Sequence, residues 1–387
     1  MDTLNIPPHN IFYFLIVLIL KAFDKYFFIF FIKLIIIDLN LRIEIKRNVM
    51  KKVLVTGISG YIGIHCAVEL LKNDYTVRGS LRDLSKSKTI VKAIKKQIDP
   101  KKNLEFCELN LLSDNGWEEA VKGCEYVLHV ASPYFNFEPK DENLYIRPAV
   151  EGTKRVLNSS KKAGVKRIVI TSSMVSMLEN ADKSININSD TWTNIKSKNV
   201  SAYSKSKTLA EKSAWEFIKN QNSKSPMELV VINPGPVFGP TISSNLDGAS
   251  MSMFKKMITG KMPAVPKSAI NMSDVRDVAK IHVQALENKK ANGKRFIVTT
   301  ENPYTFQELT NILKSNGYDK VSTKQAPNFL LKLLGIFDRE AKSMKPFIGI
   351  RYNANISNTM DTFNWKPINI EKTILDTAQS IKQLIAK

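Results

Sequence analysis

Cysteine is scarce in this 387-residue chain. Cys66, Cys107 and Cys124 form no Cys-x-x-Cys pair, and their odd number argues against a disulfide framework. Histidine is equally thin. His9, His65, His129 and His282 are scattered, without His-Glu-x-x-His or His-x-His spacing. Zinc catalysis and a Cys-His nucleophile therefore have no local support, and no metal site is expected. Glycine and proline number 16 each, too few for a collagen-like or low-complexity chain. Long apolar runs are missing too. The two best, Ile11–Leu20 and Tyr26–Ile32, both fall short of the about 18 residues of a spanning helix.

What is present is a basic, otherwise ordinary globular composition. Hydrophobic residues make up 43% and charged residues 24%, and the length suits two to three domains or one large α/β enzyme. The 57 Lys and Arg exceed the 36 Asp and Glu, for a net charge of +21. These cations are spread along the chain rather than gathered in a stripe, so no nucleic-acid partner is expected. With no disulfide framework, the expected compartment is the reducing cytoplasm.

The first 49 residues differ from the rest. Positions 11–37 are apolar except for Lys21, Asp24, Lys25 and Lys33, and no small-residue cleavage site follows. Met50 stands directly before a Lys-Lys-strand opening. We read residues 1–49 as an over-extended start. A membrane anchor is the alternative, in which Lys21 and Lys25 snorkel and Asp24 sits mid-span at a cost.

From Met50 onward strands and helices alternate. Val53–Thr56, Tyr75–Leu81, Leu104–Leu109, Tyr126–Val130, Arg167–Thr171 and Leu229–Asn233 read as strands. Ile62–Lys72, Ala149–Ala163, Ser201–Asn220, Phe306–Asn316 and Ile370–Ile385 read as helices. This order predicts an α/β, Rossmann-type doubly wound parallel sheet with a smaller C-terminal substrate lobe. The expected division is residues 50–235, with 273–300 returning, for dinucleotide binding. Residues 236–272 and 301–387 form the lobe.

The turn between the first strand and the first helix reads Thr56-Gly57-Ile58-Ser59-Gly60-Tyr61-Ile62-Gly63. Glycines there allow a tight turn, close approach of backbone to a pyrophosphate, and close helix–sheet packing. The helix start then points N–H groups at phosphate charge. Thr56, Gly57, Ser59, Gly60, Tyr61, Ile62 and Gly63 are therefore candidate cofactor-binding residues. The second strand ends in Arg82-Asp83, with Lys86 and Lys88 after it. Arg82 and Lys88 suit the 2′-phosphate of NADP, whereas Asp83 facing the ribose would suit NAD. The surrounding cations favour NADP.

Tyr203 and Lys207 stand at i and i+4, on one face near a helix start. An ammonium beside a phenol favours phenolate, so Lys207 is expected to lower the pKa of Tyr203. Lys205, at i+2, points elsewhere. Ser173, just past the fifth strand, is placed to donate to a carbonyl oxygen in the cleft.

With these residues in hand, the chain from Met50 resembles the extended short-chain dehydrogenase/reductase family, within the NAD-dependent epimerase/dehydratase superfamily. The likeness is to its dihydroflavonol 4-reductase-like and aldehyde reductase branch. It rests on TGISGYIG (56–63), VLHVASP (127–133), RIVITSS (167–173), AYSKSKTLAEKSAWEF (202–217), INPGPVFGP (232–240) and DVRDVA (274–279). The resemblance implies Ser173, Tyr203 and Lys207 as catalytic residues. It also implies Arg82 at the 2′-phosphate, Ala131, Ser132 and Pro133 along the cofactor, and Pro234 to Val237 beside the nicotinamide. The implied reaction is NADPH-dependent reduction of a small-molecule aldehyde or ketone, with the proton from Tyr203, and the implied assembly is a homodimer through the helix carrying Tyr203. A nucleotide-sugar epimerase or dehydratase using NAD is the alternative reading.

Three departures accompany the likeness. Asn110-Leu111 stands where the family has Asp-Leu near the adenine; the Asn110 carbonyl can still accept from the adenine amine. NVSAYSKSK lacks the Asn-Trp-Tyr-x-Tyr run of cinnamoyl-CoA reductases, which argues against CoA thioesters. Ile270 to Ser273, in the expected substrate loop, lacks the usual aromatic or hydrophobic-basic residues. Met251, Met253, Met257 and Met262 nearby read as core packing, with an adaptable apolar pocket as the alternative.

Overall fold

A computed structural model describes residues 50–386, except 134–138, 179–183, 198–199, 223–224, 245, 247, 331–332, 334–347 and 350, and a few helical positions between 17 and 36. The chain divides into two compact units, Met1–Met50 and Lys51–Lys387. The apolar stretch 11–37 lies mostly outside the described residues. Among the described residues, no helix is long and apolar enough to cross a membrane.

The second unit opens with β1 (Lys52–Thr56), α1 (Tyr61–Lys72), β2 (Thr76–Leu81), α2 (Ser87–Lys95) and β3 (Leu104–Glu108). Next come α3 (Trp117–Val121), β4 (Tyr126–His129), α4 (Asn143–Lys162), β5 (Arg167–Thr171), β6 (Ser184–Ile187), α5 (Ala202–Lys219) and β7 (Glu228–Pro234). The chain continues through β8 (Val237–Phe238), α6 (Ala249–Ile258), β9 (Val265–Pro266), β10 (Ala269–Ile270), β11 (Ser273–Asp274), α7 (Val275–Ala285) and β12 (Lys294–Val298). It closes with β13 (Tyr304–Thr305), α8 (Phe306–Ser315), β14 (Gln325–Ala326), β15 (Arg351–Ala354), α9 (Ser357–Phe363) and α10 (Ile370–Ile385).

Seven parallel strands form the main sheet in the order β12-β7-β5-β4-β1-β2-β3. The residue period of two along β1 makes it a two-faced strand. Val53 and Val55 enter a core shared with α1, α2 and α7, through Ile64, Ile94 and Ile281. Leu54 enters another shared with α3, α4 and α5, through Trp117, Val156 and Ala214. Both faces are covered, as an all-parallel sheet requires. The order reverses at β1, between β2 and β4, so a cleft opens at the carboxyl ends of these strands. A second sheet, β13-β10-β15-β6, lies apart in strand order.

Two elements differ from the sequence reading. The helix expected from Ala149 begins two turns earlier at Asn143 and runs through Pro148. Proline removes one helical N–H, but the residue left short of a donor, Leu144, is exposed. The seventh strand, β12, was not expected; it is recognisable as strand only because β7 pairs with all five of its residues.

Ile270, Asn271, Met272 and Ser273, in the expected substrate loop, are all buried. Asn271 donates to the Thr300 carbonyl at 2.9 Å and Ser273 to the Val298 carbonyl at 2.5 Å, which ties this segment to the end of β12. Met251 and Met257 are core residues, and Met253 and Met262 pack against the same core.

Candidate active site

The glycine turn is shaped by contacts no side chain would permit. Gly57 has φ +68°, a left-handed conformation that favours glycine, and a Cβ there would meet the Ala131 Cα at 3.0 Å. A Cβ on Gly63 would lie 2.3 Å from the Gly57 carbonyl oxygen, so α1 can only approach this closely with glycine there. A Cβ on Gly60 would meet one atom, the Gly57 oxygen at 3.2 Å, and otherwise point into open space. Gly60 caps α1 without a side-chain hydrogen bond, and the first turn holds no acidic residue. That helix end is suited to phosphate. Thr56 is buried, and its hydroxyl accepts from the Ala131 N–H at 3.1 Å and lies 3.0 Å from His129 Nδ1. Ser59 and Ile62 are half-buried on the turn. The Tyr61 ring turns away from the glycine turn, its hydroxyl donating to the Gly239 carbonyl at 2.8 Å.

The end of β2 carries both Arg82 and Asp83. Asp83 caps the turn Leu84–Lys86, accepting from the Ser85 N–H at 2.9 Å. Arg82 and Lys88 are exposed. Asn110 is exposed, and its side-chain carbonyl already accepts from the Leu112 N–H at 2.9 Å, leaving one lone pair for another donor. Leu111 packs against α4 at Gly152, where a Cβ would clash with it at 2.6 Å.

On the other side of the cleft, Ser201 caps α5 by accepting from the Ser204 N–H at 3.1 Å. That cap fixes Tyr203 in the first turn and Lys207 one turn on. Ser173 lies at the end of β5 and is hydrogen-bonded to Tyr203. Its hydroxyl also lies 3.4 Å from the Pro234 carbonyl. Lys207 is buried, and its Nζ donates to the Thr171 carbonyl at 3.1 Å. Ser132, His129 and Lys207 line one narrow recess with Thr171, Ser172 and Glu211. Ser173, Tyr203 and Lys207 thus come together at the carboxyl end of β5. The glycine turn, Ala131 and Ser132 stand around the ends of β1 and β4. Val237 opens the short strand β8, which follows Pro234 at the end of β7. Lys205 instead pairs with Glu142 at 2.7 Å across the helix pair.

Burial dominates the electrostatics of this set. Tyr203 is pushed up to about 12, first by burial and then by the neighbouring Tyr145, with the Ser173 hydrogen bond pulling the other way. The Lys207 ammonium faces the Thr171 carbonyl. Burial also brings Lys207 down to about 8, and the nearby Glu211 opposes that fall. His129 is held neutral, its pKa near 3, by burial and by Lys207. Tyr145, packed edge-on to Tyr203 with ring centroids 5.8 Å apart, was not singled out in the sequence. Neither was Glu211 or its partner Arg295. An acid eight residues after the tyrosine was the available signal, but surface helices carry many such acids.

A doubly wound sheet with a glycine turn at its switch point, facing a Ser–Tyr–Lys set, defines a dinucleotide-binding fold equipped for carbonyl or alcohol chemistry. The profile of the NAD dependent epimerase/dehydratase family matches residues 53–299, and the chain belongs to that family. A cinnamoyl-CoA reductase of Medicago truncatula is 33% identical over 275 residues, spanning 70% of this chain and 82% of its own. The NADPH-dependent methylglyoxal reductase of Saccharomyces cerevisiae is 34% identical over 284 residues, spanning 68% and 82%. The crystal structure of Gre2 from Candida albicans in complex with NADPH superposes with a TM-score of 0.71 at 27% identity, covering 86% of this chain and 99% of that one.

Proposed function

We propose that the protein is an NADPH-dependent oxidoreductase that reduces an aldehyde or ketone to an alcohol. The observation that carries this reading is the meeting of Ser173, Tyr203 and Lys207 at the carboxyl end of β5, across the switch-point cleft from a glycine turn. NADPH, when bound, supplies the hydride. The chain's own part is to hold the cofactor and move one proton. Thr56, Gly57, Ser59, Gly60, Ile62, Gly63 and the backbone of Tyr61 would hold the pyrophosphate. Arg82 and Lys88 would hold the 2′-phosphate, and Asn110 and Leu111 would border the adenine. Ala131, Ser132, Pro133, Pro234 and Val237 would line the remainder.

Ser173 donates a hydrogen bond to the carbonyl oxygen, where negative charge develops. Tyr203 then gives that oxygen a proton. A tyrosine held near 12 keeps its proton throughout neutral pH, which suits an acid in the reductive direction. Lys207, near 8, is mostly charged at neutral pH and orients the cofactor ribose beside Tyr203. We read residues 236–272 and 301–387 as the lobe that holds the carbonyl compound. The α4–α5 pair would be the homodimer face, which light scattering can check.

Arg82 and the reductase names of relatives about one third identical favour this reading over a nucleotide-sugar epimerase. The missing Asn-Trp-Tyr-x-Tyr run favours simple carbonyls over CoA thioesters. The test is side-by-side titration of the purified protein with NADPH and NADH, followed by turnover with a panel of aldehydes and ketones. NADPH preference with turnover is expected. Co-purified NAD with no carbonyl turnover would favour the epimerase instead.

A further inference from the structure

Tyr203, Lys207 and Glu211 recur every four residues along one face of α5. Glu211 is 1% exposed, and both of its carboxylate oxygens are hydrogen-bonded. One carboxylate oxygen accepts from Ser172 Oγ at 2.5 Å and from the Asn233 amide at 3.0 Å, with Ser176 Oγ at 2.8 Å. The other is bonded by the Arg295 Nε and, at 3.3 Å, by the Trp215 indole N–H. Arg295, on β12, also donates to the Ser189 carbonyl at 3.0 Å and the Thr191 carbonyl at 2.7 Å. Its guanidinium stacks 3.7 Å from the centre of the Trp192 ring.

Every element that carries the reacting groups meets this carboxylate. Ser172 and Ser176 flank Ser173 on both sides, and the Ser173 carbonyl accepts from the same Asn233 amide at 3.3 Å. Asn233 directly precedes Pro234, whose carbonyl lies beside the Ser173 hydroxyl. Ser189 to Trp192 belong to the segment that leads into α5. A buried ion pair is a poor device for stability, since well-packed apolar residues often do as well or better. It does fix geometry, because a satisfied polar network accepts only one arrangement of its members.

We propose that Glu211, with Arg295 as its counter-ion, is a positioning residue that holds the Ser173 turn in register with Tyr203 and Lys207. This rests on the reductase reading. The carboxylate also supports the ammonium state of Lys207. The other groups around Lys207 are His129, neutral at the end of β4, the Thr171 carbonyl, and Tyr203 on its own helix.

The test compares full-length wild type, Glu211→Gln, and the double variant Glu211→Leu/Arg295→Met, which removes both charges and leaves neither orphaned. In Glu211→Gln, kcat should fall by about 10–100-fold from misplacement alone. NADPH binding, followed by fluorescence, should stay within about threefold, since the phosphate turn is untouched. The alkaline limb of the kcat profile should move to lower pH as Lys207 loses its supporting charge. Hydrogen–deuterium exchange on the cofactor-free protein should quicken at residues 172–176 and 189–192. The double variant should fold at least as stably as Glu211→Gln yet show the same loss of kcat, with a smaller shift of the limb because the Arg295 cation is gone as well.

A stably folded double variant with wild-type kcat, profile and exchange would overturn the inference and leave Glu211 a packing residue. If Glu211→Gln does not fold, the double variant decides alone. A wild type with no NADPH-dependent turnover would instead overturn the reductase reading, an outcome separate from any difference between variants.

Discussion

The two sides of the cleft are built on different principles. Around the ends of β1 and β2, the site is mainly backbone, with a left-handed glycine and a helix start without a side-chain cap, and the cations after β2 are exposed. Around the end of β5, it consists of side chains sunk into the protein, where Lys207 and Glu211 are both buried and the tyrosine is pushed up to about 12. A phosphate-binding surface must stay open to a large charged ligand. An acid–base site works through shifted pKa values, and burial is what shifts them. Substitutions should therefore separate the two sides cleanly, with binding failing on one and chemistry on the other.

The largest separation should come from Tyr203→Phe. Removing the proton donor should lower kcat by about 10²–10⁴-fold while NADPH binding is retained. Loss of binding in parallel would mean that the two sides are coupled. Arg82→Ala should do the reverse. Removing a charge-assisted contact, worth about 1.5–3 kcal/mol, should weaken NADPH binding by about 10–100-fold and leave NADH binding unchanged. Equal losses for both cofactors would place Arg82 away from the 2′-phosphate.

A third expectation tests burial on both sides at once. His65 of α1 and His129 beside Lys207 are held near 4 and near 3 by desolvation. Their folded pKa values lie below the unfolded value of about 6.5, so on acidification the unfolded chain takes up protons first. Stability should therefore be full above about pH 6.5 and fall below it by about 1.4 kcal/mol per pH unit for each histidine. Urea midpoints measured between about pH 7 and pH 5 check this, in a range where most carboxylates stay ionised. His282 of α7, also held near 4 by burial, adds a third such contribution, so a flat profile would mean that all three rings are solvated. The smallest effect belongs to Lys205→Ala. Its pair with Glu142 lies at the surface, so stability should change by less than about 1 kcal/mol and kcat by less than about twofold.

How much could be read in advance follows the same division. The glycine turn was legible because its three glycines fall between an apolar run and an amphipathic one, and each meets a local backbone demand. The six expected strands all lie in the main sheet, since buried parallel strands are short apolar runs. The start of α4 was missed because Pro148 looks like a boundary when its neighbours are unknown. The seventh strand, KRFIV, opens with two cations; only its place beside β7, with Arg295 turned toward Glu211, explains a charge inside it.

Local chain order was thus enough for the phosphate turn, the alternating architecture and the i, i+4 spacing of Tyr203 and Lys207, because each depends on residues within a few turns of one another. It could not reveal that burial would push the tyrosine up to about 12, or that Lys207 would face the Thr171 carbonyl. Nor could it reveal that Asp83 would cap its own turn, or that Glu211 on α5 and Arg295 on β12 would meet beneath the site. Those outcomes depend on which charges share a low-dielectric interior, and only the packing of strands and helices decides that.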